Sequence, residues 1–204
     1  MTPEQSEHRV FLNRYYKAAR PIYDVTRKYY LFGRDRAIDD LLATPWSSLI
    51  EVGPGTGRNL ELLQRRRAWA LYGGVEAADA MLERAAARCP WAHFQRAFAE
   101  DADYSAVLGV PPERIFFSYC LSMVQRRDEA LQHALAQVAP GGEVYVVDFA
   151  DLRGLPRPLA AGLRAWLELY RVTPLEPGWL AAHGADMVLG PGRYYVLARL
   201  RRPR

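Results

Sequence analysis

A chain of 204 residues, half of them hydrophobic, holds enough material for one three-layer domain and too little for two of ordinary size. Its longest apolar run, Ile115 to Val124, is about half the length that a bilayer-crossing helix needs and is interrupted by Ser118 and Ser122, so no membrane span is expected. The net charge of +4 comes from 27 basic residues, of which only Lys17 and Lys28 are lysines; they form no dense basic tract, which argues against a nucleic-acid partner and leaves only weak attraction to anionic membrane surfaces. Cys89 and Cys120 stand at unrelated positions, so neither a disulfide framework nor a metal cluster is expected. The opening MTPEQSEHRV has no basic flank and no unbroken apolar stretch, so a cytoplasmic location is expected, with peripheral contact at the inner membrane face left open.

In chain order, the residues before about Leu42 read as helical, with Val10, Phe11, Tyr15, Ala18, Ala19 and Ile22 at helical spacing. Ser48 to Glu51 reads as a short buried strand that runs into a glycine-rich turn and a helix over Arg58 to Gln64. The alternation continues with a strand at Ala70 to Val75, a helix at Ala78 to Arg88, and strands at Ala92 to Arg96 and Arg114 to Tyr119. A helix at Arg127 to Val138 is stopped by Pro140-Gly141-Gly142, and Glu143 to Asp148 forms the next buried strand. Beyond it come a helix at Leu159 to Tyr170 and strands near Asp186 to Leu189 and Tyr194 to Leu200, with Gly190-Pro191-Gly192 as a hairpin turn. Such alternation predicts an α/β fold whose mostly parallel sheet carries helices on both faces and binds ligands just beyond the carboxyl ends of its strands. A single domain is expected: residues 1–45 as an N-terminal helical lid, 46–150 as a cofactor-binding core, and 151–204 as an acceptor-side helix with antiparallel strands.

The most informative segment is Leu49-Ile50-Glu51-Val52-Gly53-Pro54-Gly55-Thr56-Gly57-Arg58-Asn59. Alternate glycines let the backbone turn sharply and let a ligand approach the main chain, and the following helix presents free N–H groups. Dinucleotide enzymes place their third glycine where this chain has Arg58, and phosphate loops end in Gly-Lys-Ser/Thr, which is missing here. A glycine turn that only packs helix on strand is the plain alternative. The segment resembles motif I of the class I S-adenosylmethionine-dependent methyltransferases, with Glu51 in the acidic position and Gly53, Gly55 and Gly57 as its glycines. The resemblance implies a Rossmann-like seven-stranded sheet, S-adenosylmethionine as cofactor and S-adenosylhomocysteine as product. Glu76, after the second strand, would accept hydrogen bonds from the ribose hydroxyls. Ala77 and Met81 would line the adenine pocket, Ala99 and Glu100 its edge, and Ser118 the end of the fourth strand. Phe98 stands where many members carry an adenine-binding aspartate, so Glu100 is the expected substitute.

Two flanking segments, Tyr15 to Arg34 and Val147 to Pro174, look like those of the betaine-lipid N-methyltransferases. That narrower resemblance implies a diacylglyceryl-homoserine acceptor whose headgroup amine is methylated. Tyr15, Tyr16, Tyr23 and Tyr119 are the rings expected around the amine, where π faces tolerate growing positive charge. Asp148 is expected to orient the ammonium or to take its proton through water, one of Arg153 and Arg157 to pair with the homoserine carboxylate, and Trp166 to contact the lipid. For each of these residues ordinary packing, loop capping or solvation stands as the alternative. Two other readings remain open: a methyltransferase for a soluble amine, phenol or quinone, and a non-catalytic adenosylmethionine-binding subunit.

Overall fold

In the computed structural model, residues 31–204 are described. The first element is helix α1, Arg34–Leu42, followed by strand β1, Ser48–Val52, and helix α2, Arg58–Arg66. Then come β2 (Leu71–Glu76), α3 (Asp79–Arg88), β3 (His93–Arg96), α4 (Tyr104–Leu108) and β4 (Arg114–Ser118). A 3₁₀ turn at Leu121–Met123 leads to α5 (Arg127–Gln137) and β5 (Glu143–Phe149). The rest comprises α6 (Arg157–Glu168), α7 (Pro177–Ala182), β6 (Asp186–Leu189), a 3₁₀ turn at Pro191–Arg193 and β7 (Tyr195–Arg201).

All seven strands join one sheet in the order β3-β2-β1-β4-β5-β7-β6. Strands β1 to β5 pair in parallel, and β7 runs antiparallel to both β5 and β6. The order reverses direction at β1 and β4, which opens a crevice beyond their carboxyl ends. Both faces are covered, so the central strands are apolar throughout and alternate residues enter different cores. Ile50, Ile115, Phe117 and Val146 join one cluster, whereas Leu49, Phe116, Tyr145 and Val147 join the other with Leu41, Trp46 and Leu60.

The end of the sheet away from the crevice carries charge in place of a site. Arg114 and Glu143, 8% and 2% exposed at their side chains, pair at 3.2 Å, and Arg201 of β7 adds a second bond to Glu143 at 2.6 Å. One carboxylate thereby fixes the register of three strands, and the arginines, with the Tyr145 hydroxyl, hold it below the usual carboxylate range against the opposing effect of burial.

The expected elements are present with ends moved by a few residues, and three details differ. Strand β4 stops at Ser118 because Tyr119 turns into the left-handed region at φ 52°. Helices α4 and α7 were not expected; at five and six residues they are too short to show a helical period. The expected hairpin joins β6 to β7 in antiparallel pairing, but its turn is 3₁₀ over Pro191–Arg193, and Gly190 is required there because the Tyr195 ring lies where its Cβ would be, 2.3 Å away. Of the N-terminal lid, only α1 falls within the described residues, and no described helix is long and apolar enough to cross a membrane.

Candidate active site

The turn between β1 and α2 holds Gly53, Gly55 and Gly57 at φ 66°, 58° and 77°, a conformation that disfavours any residue with a Cβ. At Gly53 space is also exhausted, since a Cβ would lie 2.4 Å from Cys120 Sγ. The Gly53 N–H extends the β1–β2 ladder by donating to the Val75 carbonyl at 2.8 Å, and Gly57 caps α2. These contacts leave a small hollow above the sheet, bordered by Arg34, Glu51, Gly53, Gly55, Asn59 and Ser118, with Leu31, Pro54, Thr56 and Arg58 completing the wall.

Glu51 is the acid at the floor of the hollow. It is 1% exposed, accepts a hydrogen bond from Asn59 Nδ2 at 2.7 Å through Oε1, and leaves Oε2 buried without a hydrogen-bond partner. Burial pushes its carboxyl up to about 8, Asn59 opposes the rise, and the nearby Glu76 adds to it. A buried acceptor left open beside a glycine turn is costly unless a ligand supplies the missing donor. Glu76 ends β2 and accepts hydrogen bonds from Gly55 N at 3.2 Å and Ala78 N at 2.9 Å, so it holds the glycine turn against the start of α3. A carboxylate oxygen has two lone pairs, and these bonds are compatible with further donors from a ribose.

The remaining residues expected at the cofactor lie along the same edge of the sheet. Ala77 is half-buried after β2, and Met81 is fully buried in α3. Ala99 is buried after β3, with its carbonyl taking the Tyr104 hydroxyl at 2.7 Å. Glu100 pairs with Arg126 at 3.0 Å, so part of its carboxylate is committed to protein. Ser118 borders the hollow from the end of β4.

On the acceptor side Tyr119, Asp148, Arg153 and Trp166 are engaged by the protein itself. Tyr119 does not present its ring to an open cage: it is 4% exposed, its hydroxyl donates to the Phe32 carbonyl, and its ring packs edge-on against Phe149 with centroids 4.8 Å apart. Asp148 is fully buried; Oδ2 accepts from Ser122 N at 2.9 Å and Oδ1 from Phe149 N at 2.8 Å. It therefore caps the 3₁₀ turn after β4, although burial does push its carboxyl up to about 6. Arg153 is a surface residue, 65% exposed at its side chain, tied to Asp151 at 3.4 Å and Glu176 at 3.2 Å. Trp166 stacks edge-on with Tyr170 at 5.0 Å and belongs to the packing of α6. Tyr15, Tyr16 and Tyr23 lie outside the described residues.

Sequence reasoning missed Arg34 and Asn59 as parts of the site. Asn59 is eight residues from Glu51 and meets it only because α2 folds back over β1. Arg34 closes the Tyr15 to Arg34 flanking segment, which assigned it no role; the cue available was the Gly33 before it, which caps α1 at φ 80°.

A glycine turn between the first strand and helix, an acid at the end of the second strand, and an antiparallel last strand inserted beside the fifth define the Rossmann-like fold of the class I methyltransferases. The chain belongs to the methyltransferase-domain family, whose profile its residues 23–177 match. It is 32% identical over 170 residues to a trans-aconitate 2-methyltransferase of Rhodopseudomonas palustris, which covers 81% of this chain and 63% of that one. A trans-aconitate 2-methyltransferase of Paracidovorax citrulli is 30% identical over 127 residues, covering 60% and 48%. The chain thus spans about half the length of the curated relatives it matches. Among solved structures, the plantazolicin methyltransferase BpumL, in complex with S-adenosylhomocysteine, superposes at a TM-score of 0.69 with 14% identity, covering 98% of both chains. The magnesium protoporphyrin IX methyltransferase of Synechocystis does so at 0.65 with 13% identity, covering 95% of this chain and 99% of that one.

Proposed function

We propose that this chain is an S-adenosylmethionine-dependent methyltransferase that acts on a small-molecule acceptor. The observation that carries the reading is the hollow over the left-handed glycine turn, where buried Glu51 keeps an acceptor oxygen open and Glu76 stands beside it at the end of β2. S-adenosylmethionine supplies an electrophilic methyl on a sulfonium; its amino-acid end offers a donor for the open oxygen of Glu51, and its ribose offers donors that Glu76 can take beside its bonds from Gly55 and Ala78. Glu51 and the glycine turn would hold the amino-acid end, Glu76 the ribose, and the segment from Ala77 to Met81 the base.

For the acceptor, a soluble carboxylic acid suits the site better than the amine of a diacylglyceryl-homoserine headgroup. Two relatives are named for methylating trans-aconitate. A carboxylate is already ionised at neutral pH and attacks a methyl group without a base, whereas an ammonium must first lose a proton. Asp148, the side chain expected to receive that proton, is turned inward onto two backbone N–H groups. Arg153, one of the two arginines expected to hold the homoserine carboxylate, is neutralised at the surface by two acids. What the chain itself contributes to the transfer is then position, with nucleophile and methyl held at short range beside the hollow over the glycine turn.

The test is incubation with methyl-labelled S-adenosylmethionine and two acceptor pools, a panel of di- and tricarboxylic acids that includes trans-aconitate and a total lipid extract. Label in a base-labile methyl ester is the expected result. Label confined to a headgroup amine would overturn the acid and restore the lipid, and label in neither, with no cofactor bound, would end the methyltransferase reading.

A further inference from the structure

Helix α6 is apolar over more of its circumference than the core covers, and three stripes run along it at helical spacing. Ala160 and Leu167, with half-buried Leu163, face the core. Arg157, Ala161, Arg164 and Glu168 form an exposed polar stripe beside them. The third stripe, Pro158, Gly162, Ala165 and Leu169, is exposed and carries no charge, and exposed Leu159 stands next to it. A surface helix ordinarily turns polar residues away from the core, yet here Leu159 is 58% and Leu169 74% exposed. A Cβ added to Gly162 would meet nothing within 4 Å, so no described residue closes over the middle of this face.

The charge around the stripe decides what covers it. From Arg153 to Arg171 the chain carries four arginines and one acid, Glu168. Arg153 is answered by Asp151 and Glu176. Arg164 donates to the Asp151 carbonyl at 2.6 Å, a bond that leaves its positive charge standing. Arg157, Arg164 and Arg171 therefore share a single acid within the segment. A second copy presenting the same stripe would bring the same excess of arginine with it, so like charges oppose the pairing of two such faces. A nucleic acid would answer the arginines and leave the leucines in water. An anionic lipid surface answers both, because it offers phosphates to the guanidiniums and hydrocarbon to the leucines.

We propose that α6 is the face by which this protein rests on an anionic membrane surface, with Leu159 and Leu169 sunk at the headgroup boundary and Arg157 and Arg164 reaching lipid phosphates. The long arginine stems let the charged heads stay at phosphate depth while the leucines go deeper. One twelve-residue helix with two large apolar side chains gives reversible, composition-dependent adsorption and no anchor, and no described helix is long and apolar enough to span. The contact uses none of the residues around the glycine-turn hollow, so it stands or falls apart from the methyl-transfer reading.

Flotation of the full chain with vesicles tests this, using phosphatidylcholine alone and its equal mixture with phosphatidylglycerol. Wild type is expected to bind the mixed vesicles about tenfold more tightly than the neutral ones and to lose most of that advantage at high salt. Leu159→Glu with Leu169→Glu should weaken binding to the mixed vesicles by about tenfold or more. Val110→Glu with Val188→Glu makes the same change of charge at two exposed apolar residues elsewhere and should weaken it by less than about threefold. If the leucine pair does not fold, Leu169→Ser replaces it, with a loss of about threefold expected at unchanged charge. Equal affinity for the two vesicles, or binding to neither, would overturn the proposal. So would a loss in the α6 variant no greater than in the valine control, which would show attraction by net charge alone. A dimer in sedimentation velocity that only the α6 variant dissociates would give the stripe to a second copy, and would overturn the membrane as well.

Discussion

Replacing Glu51 by glutamine should alter how the stability of the free protein depends on pH. In the fold burial pushes the carboxyl up to about 8 against an ordinary 4.5, with Glu76 adding to the rise and Asn59 and the Leu60 backbone only partly opposing it. Between those values the unfolded chain has released the proton and the folded chain has kept it, so the unfolded state binds fewer protons and stability falls as pH rises. The contribution is fully present below 4.5 and is lost as pH approaches 8. At about 1.4 kcal/mol for each unit, stability should fall by about 2–3 kcal/mol between pH 5 and pH 7, out of a few kcal/mol across the full window. Glutamine keeps an oxygen for Asn59 and has no proton to lose. Urea unfolding of wild type and Glu51→Gln across that range should therefore show the variant gaining on wild type by these amounts as pH rises. Asp148, pushed up to about 6, is common to both proteins and cancels in the difference. A difference that does not change with pH would mean that Glu51 is ionised in the fold, and would refute the account of the hollow as a desolvated site with an open acceptor.

Gly53→Ala combines a left-handed φ with a Cβ 2.4 Å from Cys120 Sγ and should cost about 2–4 kcal/mol, part of it regained with Cys120→Ala. Gly109→Ala, at φ 76° with nothing within 4 Å, should cost about 1 kcal/mol, and equal losses at the two sites by chemical denaturation would remove the steric argument. Asp148→Ala leaves the N–H groups of Ser122 and Phe149 buried without acceptors; a loss of about 2–5 kcal/mol is expected in thermal or urea unfolding, and a loss below about 1 kcal/mol would show that water replaces the carboxylate. Glu76→Ala should weaken S-adenosylhomocysteine binding more than tenfold in calorimetry. It should also destabilise the free protein, because Gly55 and Ala78 lose their acceptor.

The core of the fold was legible because its signals are local. A five-residue apolar strand running into alternate glycines located β1 and the turn, and the next apolar strand placed Glu76 at its carboxyl end. The acceptor side was not legible, because its roles depend on which way a side chain faces. Asp148 follows Val147 on β5, and strand parity turns it toward the layer that holds Val146, where the Ser122 N–H waits. Arg34 is one of 27 basic residues, and its burial at the hollow is a property that no spacing reports. Helix α4 did carry signals: Asp103 caps it through a bond from Ala106 N at 2.9 Å, and Gly109 ends it.

The position of β7 has a consequence for assembly. It follows β6 in the chain yet enters the sheet between β6 and β5, pairing with seven residues of one and four of the other. A copy interrupted before Tyr195 would keep a seven-residue flank of β5, with its main-chain donors and acceptors bare, and a stranded β6 with no neighbour in the sheet. Such a molecule is built to borrow the missing strand from another, so premature termination should yield aggregates in place of a weakened enzyme.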